Sequence, residues 1–104
     1  MYVRLLQFPV DSKDKKKELE NLFKSSQGLE FTKKQKGFIS SEYAWSQYPE
    51  DIWTLWLWEK WETKDDYEEY IKIRKADTEW FKKFTLISPN SLSLWLFDYG
   101  ADYV

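Results

Sequence analysis

Cysteine and histidine are both absent from the 104 residues, and together they carry much of the nucleophilic and metal-binding chemistry of proteins. Without cysteine there is no disulfide, no thiol catalysis and no thiolate-held metal. Without histidine there is no Ser-His-Asp or Cys-His relay and no familiar zinc site. Hydrolase readings fall sharply, and no metal site is expected. Glycine occurs only at positions 28, 37 and 100, so neither a dinucleotide fingerprint nor a phosphate-cradling loop of standard form can be built, and no nucleotide cofactor is expected. No stretch approaches the roughly 20 apolar residues of a membrane helix. Residues 1–10 hold one basic side chain and no small-residue cleavage signal, so the cytoplasm is the expected location. An excess of one charge is missing too. The 16 basic residues are interleaved with 18 acidic ones, for a net charge of −2, so there is no broad basic field to attract nucleic acid or an anionic membrane. The one basic cluster, Lys33, Lys34 and Lys36, reads as a solvated connection.

What is abundant is aromatic surface. Tryptophan, tyrosine and phenylalanine occur seven times each, and 42% of the chain is hydrophobic against 33% charged, a balance that supports a packed core within a solvated exterior. The length suits one domain spanning residues 1–104.

Residues 2–10 (YVRLLQFPV) are rich in branched and aromatic side chains and read as a strand. Asp11 or Ser12 can cap a following helix whose buried stripe is Leu19, Leu22 and Phe23, with Lys13, Lys15, Lys16 and Lys17 turned to water. Gly28 and Gly37 punctuate the next segment, both read as positions needing a left-handed backbone. Residues 26–36 between them fit either helix or loop. Residues 38–46 alternate as a second strand, with Ile39, Ser41, Tyr43 and Trp45 on one side and Phe38, Ser40, Glu42 and Ala44 on the other. A turn at Tyr48-Pro49-Glu50-Asp51 leads into residues 52–62 (IWTLWLWEKWE), where both faces are apolar: Trp53, Leu55, Leu57 and Trp61 against Ile52, Trp56 and Trp58. Such a strand is buried on both sides. Thr63 then caps an acidic helix start with Tyr67, Tyr70 and Ile71 as its stripe, and Trp80, Phe81 and Phe84 resume the stripe after a weak point at residues 76–78. Residues 91–99 form a fourth strand, in which Leu92, Leu94 and Leu96 alternate with Trp95, Phe97 and Tyr99.

The resulting order predicts an α+β, ferredoxin-like βαββαβ fold, with two helices covering one face of a four-stranded antiparallel sheet. The helices suffice for only one face. Two such sheets meeting in a homodimer would cover the other.

Gly37-Phe38 opening the second strand, and Glu59-Lys60-Trp61-Glu62 ending the third before an acidic, broken helix, make the chain resemble the antibiotic-biosynthesis-monooxygenase-like family of dimeric α/β barrels. The likeness spans nearly the whole chain in element order. The family includes cofactor-independent oxygenases of electron-rich aromatics, haem-degrading enzymes, small-metabolite isomerases and members without assigned activity, so it constrains chemistry weakly. In its enzymes the resemblance implies a pocket between sheet and helices, with Trp61 pointing into it and Trp56 and Trp58 turned to the partner. Haem-degrading members carry an iron-ligating histidine on the following helix. This chain has none, and Tyr70 stands in that region; tyrosine can ligate haem iron in principle, but haem is not expected.

The candidate site therefore rests on aromatics and carboxylates. Trp61 can stack on a planar ligand or simply fill the core. Glu59 shares its parity, and burial would raise its pKa towards that of a general base; the alternative is a pair with Arg4 or Arg74. Tyr43, Tyr67, Tyr70 and Trp80 can line the same space, and Arg74 can hold a carboxylate or enolate, or each can be packing or surface. The leading expectation is a cofactor-independent monooxygenase-like enzyme acting on a small planar or phenolic substrate. The alternative is a non-catalytic binding or structural homodimer. A cavity packed shut by Trp61, Tyr67, Tyr70 and Trp80 favours the latter, and one of roughly 300 Å³ or more with converging polar groups the former.

Overall fold

The structure, a computed structural model, describes residues 1–96. It contains β1 (Tyr2–Val10), α1 (Lys13–Lys24), α2 (Leu29–Lys33), β2 (Phe38–Gln47), β3 (Trp53–Trp61), α3 (Lys64–Ala76), α4 (Thr78–Ile87) and β4 (Leu92–Leu96). The expected continuation of the last strand through Phe97 and Tyr99 lies outside the described residues.

The helix starts follow from side-chain oxygens that accept otherwise orphaned amide hydrogens. Ser12 Oγ accepts from Lys15 N at 3.1 Å, and Thr63 Oγ1 accepts from Asp66 N at 3.1 Å. The weak point at residues 76–78 is a true joint. Asp77 ends α3 and caps α4, its carboxylate accepting from Trp80 N at 3.1 Å.

The four strands are antiparallel in the order β2-β3-β1-β4, with β1 and β3 central. Opposed residues share a face, so Tyr2, Arg4, Leu6 and Phe8 stand beside Trp61, Glu59, Leu57 and Leu55. The helices cover this face in two clusters. At one end Leu19 and Phe23 of α1 and Phe84 of α4 close over Phe8, Leu55 and Leu57; at the other Tyr67 and Tyr70 of α3 close over Tyr2 and Trp61.

The other face carries Leu5, Trp56, Trp58 and Leu92, and no helix of the described residues covers it; Trp56 is 37% and Leu92 57% exposed. The two-faced apolar character of β3 is thus real, although the described helices cover only one of its faces.

Three local expectations are corrected, and one left open is settled. A bulge between Phe38 and Ser40 breaks the alternation of β2, bringing Phe38 to the helix side with Ser41, Tyr43 and Trp45. Of these two glycines, Gly37 has a left-handed backbone, at φ +82°, whereas Gly28 is needed for space, because a Cβ there would lie 2.2 Å from the Phe23 carbonyl oxygen. Residues 29–33 between the glycines are helical. Lys13 and Lys17 do face water, but Lys15 and Lys16 are half-buried, Lys16 lying over the Trp45 ring at 5.2 Å. None of the described helices is long and apolar enough to cross a membrane.

Candidate active site

A cavity of about 150 Å³ lies between the sheet and its helices. The strands contribute Leu6, Phe8, Leu57 and Glu59, and α3 contributes Tyr67, Tyr70, Ile71, Arg74 and Lys75. Phe23, Leu29 and Thr32 close it from α1 and α2, and Trp80, Phe81 and Phe84 from α4. The α3 set follows directly from helix geometry, since positions 67, 70, 71, 74 and 75 fall on one face. Lys75 and Phe81 are exposed and mark the mouth; Glu59 is 3% exposed and forms the floor.

Glu59 is held there by β3, where it shares the parity of Leu57 and Trp61. No described residue meets its carboxylate at full hydrogen-bond or ion-pair geometry. Burial pushes its pKa up from 4.5 to about 7, and the Trp61 indole N–H and the charges of Arg74 and Arg4 offset only part of that rise. The alternative of a direct pair with Arg4 or Arg74 is not found among the ion pairs of the described residues; both arginines act on Glu59 through their charge. The Trp61 N–H has no acceptor at strict geometry, yet it is near enough to favour the ionised form of Glu59.

Arg74 is committed elsewhere. Its Nε donates to Tyr70 Oη at 2.7 Å, and its terminal nitrogens donate to the carbonyl oxygens of Gln27 and Gly28 and, at 3.0 Å, to Thr32 Oγ1. Its guanidinium also lies 4.1 Å from the centre of the Trp80 ring and 4.7 Å from that of Phe31. This single side chain ties the α1–α2 connection to α3. The Tyr70 hydroxyl is occupied in turn, sharing a 2.8 Å bond with Thr32 Oγ1. A haem iron would find this oxygen already engaged.

Desolvation raises the hydroxyl pKa of Tyr70, and that of Tyr67 to about 12, Arg4 and Ser93 opposing the rise at Tyr67 less strongly. Both stay protonated at neutral pH, so neither competes with Glu59 as a base.

The structure brings Glu59, Tyr67, Tyr70, Arg74 and Trp80 to one cavity. Trp61 and Tyr43 stand outside it. Trp61 is 0% exposed and sits behind the wall, stacked on Tyr70 at 5.0 Å and edge-on to Phe38 and Tyr67. Tyr43 is exposed on the edge strand β2. Lys75 and Thr32 were not anticipated from sequence. Lys75 had a signal, being four residues beyond Ile71 on the same helical face; Thr32 had none, because α2 is too short for a readable period.

No family model matches the chain, and no curated protein does. Solved structures do. A monooxygenase from Streptomyces coelicolor (ActVA-Orf6), in complex with the ligand nanaomycin D, is 19% identical over 99% of this chain and 91% of its own, with a TM-score of 0.71. A proposed antibiotic biosynthesis monooxygenase from Deinococcus radiodurans is 10% identical over 100% of this chain and 98% of its own, with a TM-score of 0.77. A dimeric ferredoxin-like protein from an uncultured marine organism is 7% identical over 91% of this chain and 90% of its own, with a TM-score of 0.67. At such identities the likeness is one of fold: this chain has the ferredoxin-like fold of the antibiotic-biosynthesis-monooxygenase-like proteins.

Proposed function

We propose that the protein is a cofactor-independent monooxygenase of single-ring phenols, with Glu59 as its base. The observation that carries this reading is a buried carboxylate facing a hydrophobic cavity, with no ion-pair partner among the described residues and a pKa raised to about 7. The size of the cavity sets the substrate. An apolar space of about 150 Å³ accommodates benzene, so one aromatic ring fits and a fused polycycle does not.

In this mechanism the ionised Glu59 takes the phenolic proton, and the dry walls leave the phenolate poorly solvated and electron-rich. The phenolate passes one electron to dioxygen, avoiding the spin barrier to direct addition, and the radical pair joins at a ring carbon ortho or para to the oxygen. The carboxylic acid of Glu59 returns its proton to the peroxide oxygen, the regenerated carboxylate takes the ring proton as the O–O bond breaks, and that proton then passes to the departing hydroxide to give water. The sum is phenol plus dioxygen giving quinone plus water, so no external reductant is consumed. Tyr67, protonated beside Arg4, supports the developing oxyanion.

Oxygen uptake measured over a panel of single-ring phenols, corrected for autoxidation, tests the reading. Expected is uptake whose kcat/KM rises as pH passes through about 7 and falls at least 100-fold in Glu59→Gln. Absence of uptake across the panel, or an undiminished Glu59→Gln enzyme, overturns it.

A second reading has its own support. The cavity is smaller than the roughly 300 Å³ common for small-molecule sites, and Arg74 and Tyr70 spend their polar atoms on the scaffold. A non-catalytic carrier of a single-ring ligand would show saturable binding without oxygen uptake. In either reading the active form is a homodimer in which Leu5, Trp56, Trp58 and Leu92 of each sheet face the partner; the apolar uncovered face and the dimeric neighbour support this.

A further inference from the structure

Glu59 is the only carboxylate lining the cavity among the described residues, and Lys75 is the only cation there not already bonded, because Arg74 is consumed by Tyr70, Gln27, Gly28 and Thr32. Lys75 sits at the exposed end of the cavity and forms no ion pair among the described residues. The space is therefore polarised along its length, with a carboxylate at the floor, apolar walls of Ile71, Trp80 and Phe81, and the Lys75 side chain at the mouth with no ion pair among the described residues. An occupant matching all three parts has a phenolic hydroxyl at one end, a single ring, and an anionic group at the other.

We propose that Lys75 is a specificity-determining residue and that the preferred ligands are hydroxyaryl carboxylates, bound with the hydroxyl towards Glu59 and the carboxylate towards Lys75. This inference rests on the reading of the cavity as a site for single-ring phenols. It also reassigns the anion-holding role from Arg74 to Lys75. A lysine in the last turn of a helix also favours the helix dipole, but that role would not distinguish one ligand from another.

The test compares 4-hydroxyphenylacetate with the uncharged, nearly isosteric 4-hydroxyphenylacetamide, with binding followed through tryptophan fluorescence, since Trp80 lines the cavity. The full chain is used throughout. An ion pair at a solvated mouth is worth about a threefold to fivefold preference for the acid at low salt, and this should fade at about 0.5 M salt. Lys75→Gln should abolish the preference by weakening the acid alone, and Lys75→Arg should keep it. Equal affinities in the parent protein, or a preference that survives Lys75→Gln, overturn the role of Lys75 while leaving the cavity reading intact. Failure of both ligands to bind overturns the cavity reading and the inference together.

Discussion

Glu59→Gln separates the electrostatic cost of the buried carboxylate from everything else the residue does. The folded-state pKa of Glu59 is raised from 4.5 to about 7, so between these values the folded protein holds a proton that the unfolded chain has released. Its stability contribution is intact below about pH 4.5 and is lost as pH rises through about 7. The shift corresponds to about 3 kcal/mol in full, of which about 2 to 3 kcal/mol falls between pH 5 and pH 8. Glutamine has nearly the same shape and does not titrate. The difference in unfolding free energy between parent and Glu59→Gln should therefore move by about 2 to 3 kcal/mol in the variant's favour from pH 5 to pH 8, whatever the constant cost of burying an amide. Urea denaturation at the two pH values, at one fixed protein concentration so that any dimerisation cancels, gives the number. Parallel behaviour of the two proteins, within about 0.5 kcal/mol, would refute the reasoning and return Glu59 to an ordinary solvated acid.

Three further outcomes are expected. Arg74→Met should destabilise the fold by about 2 to 4 kcal/mol, since it removes the donor of the Gln27 carbonyl and the bonds to Tyr70 and Thr32, while the Gly28 carbonyl keeps Phe31 N and Thr32 N, and hydrogen exchange should show the loss of protection concentrated in residues 27–34. Ile71→Trp should fill the cavity and abolish binding of single-ring phenols in calorimetry, whereas Trp61→Phe, altering a residue behind the wall, should change affinity less than about threefold. Trp56→Glu places a charge on the uncovered sheet face and should shift sedimentation from dimer towards monomer without changing the far-ultraviolet circular dichroism of the chain.

Much of this architecture can be read from local chemistry. Ser12 and Thr63 announce their helices because capping acts within three residues, and the parity of Leu57, Glu59 and Trp61 sends all three towards the helices because β3 runs without a bulge. Where the reading misses, the cause is non-local or irregular. Counting alternation across β2 fails at Ile39, since one inserted residue reverses the face of everything before it. The role of Arg74 is invisible because its acceptors lie 46 and 47 positions away. Glu59 and Tyr70 can be named as candidates from sequence, but that Glu59 has no ion-pair partner among the described residues while the Tyr70 hydroxyl is held by Arg74 and Thr32 depends on distances only the folded chain supplies.

The corner at Asp77 has a consequence for how such a site can change. On one unbroken helix Lys75 and Trp80 would diverge by about 140° around the axis, and they could not look into the same space. Because α3 stops and α4 restarts in a new direction, the charged mouth and the aromatic wall converge on the cavity from two rods hinged at one residue. Substitutions at the hinge would therefore resize the chamber without touching any side chain that lines it, leaving a route by which related chains can accept larger or smaller guests while keeping the same interior.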